Sequence, residues 1–338
     1  MADVLQAGSP EPAARHAGAP RGARIGVGAA VLAVAALLVG ASATLTSLTA
    51  PAPAPATTEG STAEVVESAA LSVAEVPAFA GPIAALPVPE QTALAAAVDP
   101  CALPEVVAAL GAGDDEAVIA GFGGAEPFRV AVTEDRAPCV SLDDPARTWM
   151  VVNKVRPYAP MSFRPTALAL PDGVRSLSGG ALHEKSATAL ATMAADARDA
   201  GVGEIALASG FRSYETQTDT YRSHVAGRGV EGADLVSARP GFSEHQSGFA
   251  ADVVACDGGC GTLDDLAATP QGRWVHGNAW RYGWVVRYGE GMTDVTGYVP
   301  EAWHLRYIGP ALAQEYHDGG WESLEEFFGL QPAPDYIG

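Results

Sequence analysis

An α+β fold, a mostly antiparallel sheet flanked by helices, is predicted by two features of the sequence. Helical patterns cluster over residues 186–225, and three apolar strand patterns follow at 248–255, 283–288 and 303–308. A doubly wound parallel sheet would instead alternate strand and helix along the chain.

Taken in order, residues 1–24 form an N-terminal tail holding Arg15, Arg21 and Arg24. Residues 25–48 carry no charge, and their core, IGVGAAVLAVAALLVG, reads as a targeting segment, either a signal peptide or a transmembrane helix. Arginines before it and Glu59, Glu64 and Glu67 after it put the bulk of the chain outside the cytoplasm. A retained single-pass anchor in the cell membrane is the first expectation; cleavage at Ala41-Ser42-Ala43 would make the protein secreted. Residues 49–99 are rich in Ala and Pro and read as a flexible linker spanning roughly 40 Å on average.

Residues 100–147 form a small cap segment bracketed by cysteines, with a helix-like stretch at 104–110 and a strand-like run at 128–132. The main domain covers 148–331, with a short tail at 332–338. WMVVNKV at 149–155 is strand-like or extended, and Pro157, Pro160 and Pro165 keep the next stretch irregular. Leu190, Met193, Ala194 and Ala197 share one face of a helix predicted over 186–200, with Gly201 as its stop. EIALA at 204–208 is a short strand, SGFRS at 209–213 a sharp turn, and 214–225 a second helix. After Pro310 the chain returns to helix.

Twenty basic against 40 acidic side chains give a formal charge of −20, and Lys154 and Lys185 are the only lysines. That balance argues against nucleic acid as a partner and fits a soluble exported protein. Four cysteines, an even count, fit two disulfides in an oxidising compartment. Cys256 and Cys260 are expected to pin a Gly-rich loop, leaving Cys101 to pair with Cys139. A metal held by Cys256 and Cys260 is the alternative, although C-x3-C without a second cysteine pair is incomplete.

Of the seven histidines, only His245 and His304 sit among other useful ligands. His245 lies in GFSEHQSGFAAD, which ends at Asp252, and His304 lies in Glu301-Ala302-Trp303-His304. Two imidazoles and one carboxylate make a three-ligand zinc site with an open position for water, as hydrolytic zinc requires. Asp252 is the natural carboxylate, which leaves Glu301 free as general base. The offsets of seven and three are odd, so on regular strands the members of each pair would face apart. Gly241, Gly248 and Pro300 supply the means to leave the strand.

In combination with SGFRSYETQ upstream, these motifs resemble the VanY-type D-alanyl-D-alanine carboxypeptidases. The resemblance runs from Val152-Asn153-Lys154 through Ser209-Gly210-Phe211-Arg212-Ser213 and Gln217 to Ser-x-His-x-x-Gly-x-Ala-x-Asp and Glu-x-Trp-His-x-Arg-Tyr. It implies one zinc ion per chain, held by His245, Asp252 and His304, with Glu301 as catalytic base. It further implies that Arg212 stabilises the oxyanion and that Ser243 and Gln217 line the substrate pocket. Phe211 stands where the family usually has Tyr, and Ala302 where it usually has Pro; neither change removes a ligand. The cysteine loop after Asp252 is expected to reshape the cleft and so the substrate range.

The activity so implied is removal of the terminal D-alanine from peptidoglycan stem peptides. A D,D-dipeptidase or L,D-endopeptidase of the same fold, or a non-catalytic wall-binding module, are the alternatives.

Overall fold

The computed structural model describes residues 98–337, and its central sheet explains how distant parts of the sequence meet. In chain order the helices are α1 (Pro104–Ala112), α2 (Asp115–Gly121), α3 (Ala125–Thr133), α4 (Glu184–Asp199), α5 (Tyr214–Asp234), α6 (Pro270–Asn278), α7 (Thr293–Thr296), α8 (Pro310–Asp318) and α9 (Leu324–Phe327). The strands are β1 (Leu168–Ala169), β2 (Leu182–His183), β3 (Glu204–Ser209), β4 (Ala250–Asp257), β5 (Gly259–Cys260), β6 (Trp284–Val286) and β7 (His304–Tyr307).

Strands run in the order β3-β4-β7-β6, with β5 turned back on β4, and every pairing in this sheet is antiparallel. The fold is therefore α+β. Residues along β4 are buried up to Cys256, and alternate members serve different layers. Ala251, Val253 and Ala255 join Leu190, Met193 and Ala194 of α4 in one core, whereas Val254 and Cys256 pack on the opposite face with Ala206. Asp252 shares the parity of that second face.

A separate core binds the beginning of the described chain to its end. Val106, Ile119 and Phe128 of α1, α2 and α3 pack with Trp149, Val285, Leu312 and Phe327. Asp115, at the start of α2, accepts hydrogen bonds from the backbone and hydroxyl of Thr148 and from Arg147. Asn153 donates to Glu325, and Lys154 is buried with its ammonium on the carbonyls of Gly297 and Pro334.

Three expectations are corrected. The strand-like run at 128–132 lies within α3, where Phe128 and Ala131, three residues apart, bury one helical face. The helix predicted over 214–225 continues to Asp234, with a non-helical residue at Gly229 (φ 74°). The transmembrane helix is withdrawn: among the described residues no helix is long and apolar enough to cross a membrane. Residues 25–48, on which that expectation fell, and the linker to residue 97 lie outside the described residues. The 149–155 stretch forms no regular strand, only an isolated bridge between Asn153 and Arg156.

Disulfides join Cys101 to Cys139 and Cys256 to Cys260, with sequence separations of 38 and 4. Loop-closure entropy ranks them. Replacing the first pair by alanine should lower unfolding free energy by about 4 kcal/mol, and the second by about 2 kcal/mol. Urea denaturation of the two double variants against the parent measures both.

Candidate active site

Strand register brings the first two site residues together. Asp252 of β4 stands directly opposite His304 of β7, so both side chains rise on the same face of the sheet. Their neighbours Ala251, Val253 and Leu305 point the other way into the helix-backed core. His245 reaches the same point from a short 3-10 helix (Glu244–Ser247), which ends at Gly248 in the left-handed conformation (φ 77°). A Cβ at Gly248 would stand 2.7 Å from the His183 backbone nitrogen, so both conformation and space require glycine. Glu301 precedes β7 in the loop after Pro300, its carboxylate 3.9 Å from His304 Nδ1. The odd offsets are thus resolved: His245 and Glu301 are both off the strands.

Ligand-type atoms of His245, Asp252 and His304 lie within 4.8 Å of one another. Asp252 Oδ1 is 2.9 Å from His304 Nδ1 and 3.3 Å from His245 Nε2. The Gly210 carbonyl, 2.8 Å from His245 Nδ1, assigns the proton of that ring to Nδ1. Nε2 is then a bare lone pair. It is buried, has no hydrogen-bond partner, and faces a carboxylate. Burial and the Arg212 guanidinium hold the His245 pKa down at about 4, so the ring does not gain a proton to bridge the gap. A lone pair opposite a buried carboxylate is repulsive unless a cation lies between them, and the donor set suits a metal ion.

Arg212 follows the β3 turn. Its guanidinium lies 3.6 Å from Asp252 Oδ2 and donates to Gln217 Oε1 at 3.0 Å. Ser243, Arg212 and Glu301 line a cavity of about 710 Å³ together with the three ligand-type residues. Gln217 does not line it: fully buried, it accepts from Arg212 and donates to Ser237 and to the Ala238 carbonyl. Leu263 and Asp264, just past the Cys256–Cys260 disulfide, also form part of the cavity wall.

A family profile described as VanY, D-alanyl-D-alanine carboxypeptidase, matches residues 179–310. YodJ of Bacillus subtilis (strain 168), a carboxypeptidase by similarity, is 35% identical over 193 residues, which cover 56% of this chain and 69% of YodJ. The chain belongs to the VanY family of carboxypeptidases. A D-alanyl-D-alanine carboxypeptidase of Enterococcus faecium is 34% identical over 128 residues, 38% of each chain. Among solved structures, the LdcB LD-carboxypeptidase, whose structure is described as revealing the basis of peptidoglycan recognition, is 34% identical with a TM-score of 0.51. The match covers 55% of this chain and 87% of that one.

Around this VanY-type site the sequence reading missed Glu244. Its Oε2 lies 3.0 Å from His304 Nε2, which fixes the ring with Nδ1 turned to Asp252. Arg287 and Arg306, both buried, stand 3.4 and 3.7 Å from its other oxygen, and Arg287 also donates to Glu325 of α9. The signal was present: arginines inside the apolar runs GWVVRY and WHLRYI had to find a buried carboxylate.

Opposed environments tune the carboxylates. Burial acts to raise Glu244, but Arg287, His304 and Arg306 outweigh it and hold it at about 2. For Asp252, burial is likewise overcome, and its hydrogen bond with His304 helps to keep it well below the usual range. Burial pushes Glu301 up to about 7, with His304 opposing and Asp252 adding to the rise. One carboxylate in the cluster is therefore suited to exchanging a proton near neutrality, and two are suited to staying charged.

Glu244→Ala should weaken metal affinity about 10- to 100-fold by releasing His304. It should also cost about 3–5 kcal/mol of stability, because Arg287 and Arg306 lose a buried partner. Competition against a metal-chelating dye and urea denaturation read the two effects separately.

Proposed function

We propose that the protein is a zinc-dependent D-alanyl-D-alanine carboxypeptidase that removes the terminal D-alanine from peptidoglycan stem peptides. Family membership sets the reaction class. The buried, unpartnered His245 Nε2 facing Asp252 is the observation that carries the metal. The ion would be held by His245 Nε2, Asp252 and His304 Nδ1, a neutral nitrogen, a carboxylate and a second imidazole that suit zinc. Once bound, it supplies Lewis-acid polarisation and lowers the pKa of water to roughly 7. Two disulfides support a place of action outside the reducing cytoplasm.

Glu301 takes a proton from the attacking water as the new C–O bond forms. It delivers that proton to the departing amine of D-alanine as the C–N bond breaks. The rise of its pKa toward neutrality suits both halves of that exchange. Arg212 is restrained by Gln217 and offers a fixed positive charge to the oxygen on which negative charge develops. Ser243, on the same wall, is a substrate contact.

The likeness to the LdcB LD-carboxypeptidase favours a second reading, cleavage of the L,D bond that ends a tetrapeptide, by the same residues. A synthetic pentapeptide ending in D-Ala-D-Ala and a tetrapeptide ending in one D-alanine separate the two by mass spectrometry. Single D-alanine released from the pentapeptide is the expected product. Cleavage of the tetrapeptide alone would carry the second reading, and binding without turnover of either would leave a wall-binding module. Chelator should abolish release and added zinc restore it. Glu301→Gln should lower kcat about 10²- to 10⁴-fold with the metal still bound, and Arg212→Ala about 10²- to 10³-fold.

A further inference from the structure

One wall of the catalytic cleft belongs to helix α5. Thr220, His224 and Arg228 line the cavity, and with Gln217 they follow one another at the three- and four-residue spacing of a single helical stripe. Gln217 is buried and holds Arg212. His224, half-buried, and Arg228, exposed, stand further along the same stripe, before the break at Gly229.

This end of the cleft is positive in a chain where acidic side chains outnumber basic ones 40 to 20. On the same helix Arg222 pairs with Asp219, whereas Arg228 and His224 form no ion pair among the described residues. Burial, then the charges of Arg228 and Arg212, hold the His224 pKa below its ordinary value. No carboxylate is among the groups acting on that ring, so the acids that line the cleft, Glu244, Asp252, Asp264 and Glu301, leave this end unneutralised. An accessible guanidinium with an imidazole one turn before it suits a carboxylate that accepts from both.

Spacing along the helix selects which carboxylate of a stem peptide can reach them. With a rise of about 1.5 Å per residue, His224 and Arg228 stand about 10 and 16 Å along the axis from Gln217, the partner of Arg212. The terminal carboxylate lies one residue, about 3.6 Å, from the bond that is cut, and so stays beside the candidate metal cluster. Three residues of extended chain span about 10 Å. That length brings the upstream acids of a stem to the stripe: D-glutamate at the second position, or a third-position diamino acid with a free carboxylate.

We infer that His224 and Arg228 form a carboxylate subsite that recognises an acidic residue of the stem peptide upstream of its D-alanines. The inference rests on the reading of the protein as a stem-peptide carboxypeptidase. The enzyme thereby prefers stems whose upstream carboxylates are free over stems in which they are amidated or missing.

The test uses the full chain and pentapeptides ending in D-Ala-D-Ala that differ in one group. One pair has D-glutamate against D-glutamine at the second position, the other diaminopimelate against lysine at the third. In kcat/KM the acidic member of one pair should be favoured about tenfold, the effect of a charge-assisted hydrogen bond, and the pair that shows it identifies the carboxylate. Arg228→Gln should bring that ratio close to one, and His224→Phe should lower it about threefold. Because Arg228 is exposed and unpaired among the described residues, the urea midpoint of Arg228→Gln should match the parent. Parental ratios near one for both pairs overturn the proposal. So does an Arg228→Gln variant that slows acidic and neutral peptides in equal proportion, which would tie Arg228 to the terminal carboxylate that all four share.

If no peptide is cleaved, the carboxypeptidase reading has failed by itself. Calorimetric titration with the same four peptides then decides: tighter binding of an acidic member that is lost in Arg228→Gln supports the subsite, and equal or undetectable affinity within both pairs refutes it.

Discussion

Three buried carboxylates crowd around two imidazoles, and only positive charge can keep them there. Glu244 is held by Arg287 and Arg306, while Asp252 has Arg212 at longer range and a bare imidazole nitrogen at short range. The unpartnered His245 nitrogen facing Asp252 is the contact in this cluster that a bound cation would relieve. Much of the fold serves this constraint. The β4–β7 register sets Asp252 against His304, the β3 turn supplies Gly210 and Arg212, and the 3-10 helix supplies Glu244 and His245.

The same network reaches beyond the sheet. Arg287 links Glu244 to Glu325 of α9, and Glu325 also accepts from Asn153, so the orientation of His304 depends on packing at the far end of the chain. α9 in turn shares its core with α1, α2 and α3. The cysteine-bracketed segment thereby buttresses the element that steadies the site. That core also includes Val285 of β6 and Ile308 just after β7, so it backs the site-bearing sheet directly as well.

Much of this was legible in the sequence, for identifiable reasons. The α4 pattern and the β4 run are strongly periodic or strongly apolar, and both were read to within two residues. The cluster of His245, Asp252, His304 and Glu301 was legible because buried polar residues in apolar runs have few other uses. The segment at 128–132 was not, since a short run such as FRVAV fits either period and only burial of Phe128 with Ala131 decides. Glu244 escaped because its partners lie some 40 to 60 residues on in the chain, and no local pattern pairs them. Gln217 was placed in the pocket wall by resemblance, whereas its side chain is spent on holding Arg212.

The Cys256–Cys260 disulfide closes a tight turn at the end of the strand that carries Asp252, and the residues just past it face the cleft. The chain past this clamp stays tied to the strand, Gly261 donating to the Ala255 carbonyl and Leu266 packing with Val253 and Ala255. Leu263 and Asp264 therefore meet the cleft from a loop whose start is anchored to the strand that carries Asp252.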